Sequence, residues 1–370
     1  MTAMGTLLKR TSAAVLGVGL SLNTVSAETY MPNCYIPAEG NEKIIQYDAK
    51  EGPYRVALVN GHTGIPWREQ MIQSVRAWAD RPENKETIGE LRVVSTGPDV
   101  AAQIAAVDNF IQAGYDAIAF IAVNPTAFDA VVRRANRTGT VLVSFDNPVD
   151  NDSILRITPN WVDFETIKAK SVLEQMSETS GRVLEIRGIQ GNSTDRDRHI
   201  GVEQVLSEYP DVEVIEVVGN WDTGTVQRVT ADAFAVHGQF DGIICQHGCR
   251  GVTNAMAAAD HPAVPVGGDA ENGYVKAMAG NQIPGISVSV SPGMGPLAVR
   301  AAVALLQGES FPSMANLPIP NVETADMVAG THYYPDEPDT FETVTGYAAC
   351  GEDMVFTPDE LRTQTHASDS

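Results

Sequence analysis

Positive charge is what this 370-residue sequence most lacks: 25 Lys and Arg stand against 47 Asp and Glu, a formal net charge of -22. The deficit excludes nucleic acid and anionic membrane surfaces as partners, because both require a basic patch. Long apolar runs are missing too. The stretch 13–20 is too short to span a bilayer, and no later segment is long enough. Catalytic signatures are equally scarce. There is no Gly-x-Ser-x-Gly elbow, no phosphate loop, no His-Glu-x-x-His pair and no Gly-x-Gly-x-x-Gly after the first apolar strand. Neither a catalytic residue nor a cofactor is therefore expected.

Cysteine is limited to four residues, Cys34, Cys245, Cys249 and Cys350. The segment Cys245-Gln-His-Gly-Cys249 offers only three ligands with His247, one short of a usual zinc site, so no metal is expected. An even count in an oxidising compartment favours disulfides, and three pairings are possible. The expectation is a bridge from Cys34 to Cys350 that ties the two flanks together, with a local one from Cys245 to Cys249.

Residues 1–27 read as a leader. Lys9 and Arg10 precede the short apolar stretch, and Val25-Ser26-Ala27 fits a small-x-small cleavage rule, so the mature protein is expected to begin at Glu28. No Cys directly follows the apolar stretch, so no lipid anchor is expected. A protein exported and released free, most simply into a periplasm, is expected.

The length exceeds what one core usually serves, so two domains are expected. Apolar β-rich runs at 55–60, 91–95, 117–122, 141–145, 183–186, 212–217, 242–245, 264–266 and 286–290 alternate with helical periods. These periods fall at 67–79, 101–113, 128–137, 163–177, 196–208, 225–236, 253–259 and 297–306. Continuous apolar strands between amphipathic helices make an α/β fold with parallel sheets covered on both faces. The pattern runs twice, joined near residues 151–160. Two doubly wound lobes place functional groups just after strands, at the cleft between them. The polar stretch 363–370 is expected to fray.

Those strand ends carry Trp67, Arg68, Asn124, Asp146 and Asn147 in the first half, then Arg198, Trp221, Asp222, Gln246, His247 and Asp269 in the second. Indole faces ringed by planar hydrogen-bonding groups suit a sugar, whose C–H faces stack and whose hydroxyls donate and accept. Each residue also has a plainer role. Trp67 fits a core, Asp146 and Asp222 fit caps, Arg198 fits a solvated helix start, and Trp161 fits hinge packing. Asp146 and Asp269 also resemble the carboxylate pair of a glycosidase, although neighbouring arginines suit binding better than proton transfer.

Taken in order, several segments resemble the type I periplasmic sugar-binding proteins of ABC importers, the ribose-, galactose- and galactofuranose-binding group. They are Val123-Asn124-Pro125-Thr126, "VLVSFDNP" from Val141, "VLEIRGIQGNSTDRDRHIG" from Val183, "GNWDT" from Gly219 and "VPVGGDAENGYVKAM" from Val264. The resemblance covers about residues 54–322. It implies that Trp67, with Arg68 beside it, is a stacking platform at the first helix start. It also implies that Asp146 and Asp269 are sugar carboxylates, Arg198 a second-lobe guanidinium and Trp221 a second-lobe aromatic. Asn147 stands where many relatives have Arg, His247 where many have Asn, and Val290 where ribose binders have Gln. The hydroxyl pattern expected is therefore not that of ribose.

The implied division is a flank at 28–53, a first lobe at 54–158 with 291–320, a second lobe at 159–290 with 321–332, and an extension at 333–370. The implied function is a monomeric solute receptor that delivers its ligand to an ABC transporter permease. A sensing subunit that presents the same ligand to a chemoreceptor or histidine kinase is the alternative, and a secreted glycoside hydrolase a remote one. The ligand-binding set is Trp67, Arg68, Asp146, Asn147, Arg198, Trp221, His247 and Asp269. Two arginines balance two carboxylates in that set, which favours a neutral sugar or polyol.

Overall fold

A computed structural model describes residues 1–2, 29–178 and 180–369. The expected leader, apart from its first two residues, lies outside them, as does its cleavage site. Among the described residues the backbone builds two doubly wound α/β lobes, as the alternating pattern implies.

The first sheet runs, edge to edge, Ile36–Pro37, Met314–Asn316, Leu155–Thr158, Val141–Phe145, Ala117–Phe120, Tyr54–Asn60 and Ile88–Ser95. Only Ile36–Pro37 pairs antiparallel there. The second sheet runs Asn321–Glu323, Gly285–Val288, Val266–Gly268, Gly242–Cys245, Gly181–Arg187 and Val212–Val218, with Asn321–Glu323 antiparallel. Central strands such as Ala117–Phe120 and Gly242–Cys245 are buried at every position, because helices cover both faces. Helix starts are set by local chemistry. Asp99, Asn160, Asn192 and Asp222 each accept backbone N–H groups of the following turn.

Short strands without a long apolar run escaped the sequence pattern. Leu155–Thr158, inside the expected junction, is a strand of the first sheet, and Met314–Asn316 pairs in parallel with it. The helix Asn272–Asn281 was likewise not expected, since its apolar residues follow a Gly-rich strand end closely.

Between the sheets the described backbone crosses at 159–160, 289–293, 317–320 and again at 344–346. The fourth crossing belongs to the extension. On the second lobe, Asn272 N donates to Phe341 O at 2.7 Å and Thr343 N to Ala270 O at 3.0 Å. Glu342 meanwhile forms a β-bridge with Glu271. On the first lobe, Cys350 is disulfide-bonded to Cys34 across 316 residues, and Arg300 donates to Cys350 O. Gly346 packs against Gly293 of the second crossing, where a Cβ on Gly293 would come within 2.7 Å of its Cα. Gln70, on the first-lobe helix Pro66–Ala79, exchanges two 2.9 Å hydrogen bonds with the backbone of Glu342.

Residues 364–369 do not fray as expected. Asp369 exchanges hydrogen bonds with Val93 and pairs with Arg76 at 2.9 Å, and Ser95 N donates to the Ser368 hydroxyl. Polar partners hold this segment where apolar burial does not.

Candidate functional site

Trp67 and Arg68 enter the cleft because Pro66 starts their helix directly after the loop that follows strand Tyr54–Asn60. The Trp67 indole is 6% exposed and packs into the first-lobe core, while its Nε1 donates to Val290 O, on a crossing segment, at 2.7 Å. Arg68 is clamped from two strand ends. Its Nη1 donates to Asn60 Oδ1 at 2.9 Å, and its Nη2 lies 3.5 Å from Asp146 Oδ2.

Asp146 adopts φ 61°, a left-handed conformation that a non-glycine residue holds only when its surroundings impose it. Here its N–H donates to Ile157 O, while its own carbonyl accepts from the Thr158 hydroxyl. Burial raises the Asp146 carboxyl above its ordinary range, against the pull of Arg68, Arg198 and His247. Asn147 Oδ1 accepts from the Thr194 hydroxyl at 2.6 Å, a bond from one lobe to the other.

In the second lobe, Arg198 Nε donates to Glu165 Oε2 at 2.7 Å, and its guanidinium lies over the Phe164 ring at 4.9 Å. Trp221, at φ 58°, donates from Nε1 to Gln246 Oε1 at 3.0 Å. It lies so close to Gly188 that a Cβ there would come within 2.0 Å of the indole nitrogen, so only glycine fits. His247 Nδ1 lies 2.5 Å from Asp269 Oδ2. Burial opposes a charged ring, but the Asp269 carboxylate outweighs it and raises His247 to about 9. Burial likewise opposes the Asp269 charge, yet His247 draws that carboxyl down to about 2.

One cleft between the lobes is lined by Trp67, Arg68, Asp146, Asn147, Arg198, Trp221 and His247, together with His62, Ile65, Trp161, Ile189, Thr194 and Val290. Asp269 is not among the lining residues. It stands behind His247, and its second partner is Gly248 N at 2.9 Å. Asn124 and Asp222 stay outside as well, each accepting from a backbone N–H of its own turn. Gln246 is buried beneath Trp221.

Sequence reasoning missed Asn60 and Glu165, which hold the two arginines, and Thr194. Asn60 ends a strand, a signal that could have found it. Glu165 lies inside a helix, where only folding brings it to Arg198.

Each charged group lining the cleft is thus paired: Arg68 with Asp146 in the cleft, Arg198 with Glu165 and His247 with Asp269 behind it. Elsewhere, Glu185, His199 and Glu216 bring ligand-type atoms within 4.8 Å of one another. The guanidinium of Arg187, 3.1 Å from Glu216, already supplies positive charge there.

A two-lobed α/β frame with a polar, indole-lined cleft at its crossings defines a solute-binding architecture. Residues 56–310 match the family model of the periplasmic binding protein domain, and the protein belongs to that family. It is 25% identical over 224 residues to a xylitol-binding protein of Mycolicibacterium smegmatis, a match covering 58% of this sequence and 63% of that protein. It is 23% identical over 226 residues to a ribose import binding protein of Haemophilus influenzae, covering 60% of this sequence and 76% of that one. Among solved structures, an ABC transporter solute binding protein from Thermobispora bispora superposes with a TM-score of 0.72 at 26% identity. That match covers 84% of this protein and 94% of the other.

Proposed function

We propose that this protein captures a neutral sugar or sugar-like polyol between its lobes and delivers it to the permease of an ABC transporter. The carrying observation is one interlobe cleft lined by three indoles, Trp67, Trp161 and Trp221, and by Arg68, Asp146, Arg198 and His247, each with an opposite charge beside it. Paired charges present many donors and acceptors with little net charge, which suits hydroxyls better than a carboxylate or phosphate ligand. Trp67 and Trp221 offer apolar faces for the C–H groups of a cyclic or open-form ligand. The family and the xylitol- and ribose-binding relatives support the same ligand class.

The ligand set is Trp67, Arg68, Asp146, Asn147, Arg198, Trp221 and His247, with Asp269 acting through His247. The lobes of this proposal are 54–158 with 291–320 and 159–290 with 321–332, and the receptor works as a monomer in the periplasm after cleavage at Ala27. The test is calorimetry with a panel of neutral pentoses, hexoses, furanoses and polyols beside sugar acids and sugar phosphates. Native mass spectrometry of protein purified without refolding adds a search for retained ligand. Binding confined to anionic members overturns the neutral-ligand reading, and an inert panel with an empty native spectrum overturns the sugar reading.

A further inference from the structure

Beneath the second-lobe half of the cleft lies a buried lysine that no ligand contact explains. Lys168, on helix Trp161–Gln175, is wholly buried and donates from Nζ to Cys245 O at 3.0 Å and Gln246 O at 3.2 Å. Its Nζ lies 3.7 Å from Glu165, on the same helix. Both carbonyls belong to the five-residue loop 245–249, whose ends are joined by the Cys245–Cys249 disulfide over a Cα separation of 5.8 Å.

Three second-lobe groups that line the cleft, Arg198, Trp221 and His247, lean on this loop or belong to it. Arg198 donates to Gln246 O, and Trp221 donates to the Gln246 side chain, whose amide in turn donates to Asp195 O at 3.2 Å. His247 is the middle residue of the loop. The next residue, Gly248, is at φ 76° and donates its N–H to the same Asp269 carboxylate that holds the imidazole. A buried amine is costly unless hydrogen-bonded, and burial pulls Lys168 down to about 7 against the pull of Glu165. Here it converges on two carbonyls that the curl of a closed loop turns the same way, which an alkyl group cannot do.

We propose that Lys168 and the Cys245–Cys249 bridge are positioning residues that hold loop 245–249 as one rigid platform, setting Arg198, Trp221 and His247 together for ligand. This inference rests on the reading of the cleft as a sugar or polyol site, and it adds a specificity device to that reading. Loss of either restraint lets the loop relax, so the three groups lose register at once while the lobe core stays intact.

The test uses the full mature protein with the variants K168M and C245S/C249S, plus C34S/C350S as a bridge control outside the cleft. Affinity is measured for the tightest-binding neutral member of a panel of xylitol, ribose, arabinose and galactose. The His247 imidazole is titrated by NMR in ligand-free protein and assigned with H247Q. In the parent the Asp269 carboxylate is expected to hold it at about 9. Both loop variants are expected to bind about tenfold more weakly, the scale of coupling within one network. Both are also expected to lower the His247 pKa by about one unit, as the ring leaves Asp269. The control is expected to melt earlier with neither change.

Should K168M fail to fold, C245S/C249S decides alone. Lower melting temperatures with parental affinity and parental His247 titration overturn the proposal, and so does weaker binding with His247 unmoved. If no panel member binds the parent, the sugar reading fails, but the ligand-free titration still decides whether the loop positions His247.

Discussion

Asn147 and Thr194 stand on opposite lobes, and the Thr194 hydroxyl donates to Asn147 Oδ1 across 2.6 Å. Both residues line the cleft, so this bond latches the two halves of the site where a ligand would sit. Thr194→Val keeps the shape and removes the donor, leaving a buried acceptor unpaired at a cost of about 1–3 kcal/mol. Small-angle scattering of the ligand-free variant is expected to show a larger radius of gyration than the parent, as the open state gains population.

Trp67→Ala is expected to weaken sugar or polyol binding by about 1–3 kcal/mol through lost stacking area. The indole also packs into the first-lobe core and donates to Val290 O, so the same change lowers the melting temperature. Trp67→Phe separates the two effects, since it keeps most of the core volume while losing the N–H. Calorimetry and thermal melts on the two variants check this order.

His247 and Asp269 make stability depend on pH in a defined window. The folded pKa of His247, about 9, lies above its ordinary 6.5, so its contribution is complete below 6.5 and is lost as pH rises through 9. Asp269, depressed to about 2 from 3.8, contributes above 3.8 and loses that contribution as pH falls through 2. Burial raises Glu271 to about 7 and Glu342 to about 8, which also makes stability fall with rising pH. The imidazole term is therefore read as the difference between the parent and H247Q. Urea melts are expected to show the parent losing about 2 kcal/mol more than H247Q between pH 6 and 10.

Gln70→Leu removes both hydrogen bonds to the Glu342 backbone and leaves that backbone buried without partners. The closed arrangement is expected to lose about 2–4 kcal/mol. Hydrogen exchange at 339–346 should accelerate, whereas exchange in the second sheet should not change.

Breaking the Cys34–Cys350 bridge frees the extension at its first-lobe anchor. The 316-residue separation places C34S/C350S at the upper end of disulfide effects, with about 2–5 kcal/mol of stability lost in urea melts.

The architecture was legible because buried parallel strands write themselves as continuous apolar runs, as in "VLVSF" and "GIIC". The place of Trp67, Arg68 and Asp146 in the cleft was legible because such folds turn strand ends toward it, and the even cysteine count favoured disulfides while leaving three pairings, of which Cys34–Cys350 with Cys245–Cys249 was the one expected. Other features were not legible, for reasons that are physical. Glu165 and Lys168 sit on the buried face of a helix, where periodicity leads one to expect apolar side chains. Asp269 shares its strand-end position with residues that do reach the cleft, and only the 2.5 Å approach of His247 moves it one layer back. Leu155–Thr158 is four residues long with an arginine in it, and it becomes a strand through its neighbours.

Strand Ile88–Ser95 ends the first sheet, and its free flank would otherwise present a row of unpaired amides and carbonyls to any other polypeptide. Ser368 and Asp369 occupy part of that row, bonding to Val93 and Ser95. A clip that removes these two residues leaves the cleft untouched yet uncovers a template for sheet-to-sheet zipping. At the high concentrations of a crowded compartment, its cost would be paid in solubility long before it was noticed in ligand affinity.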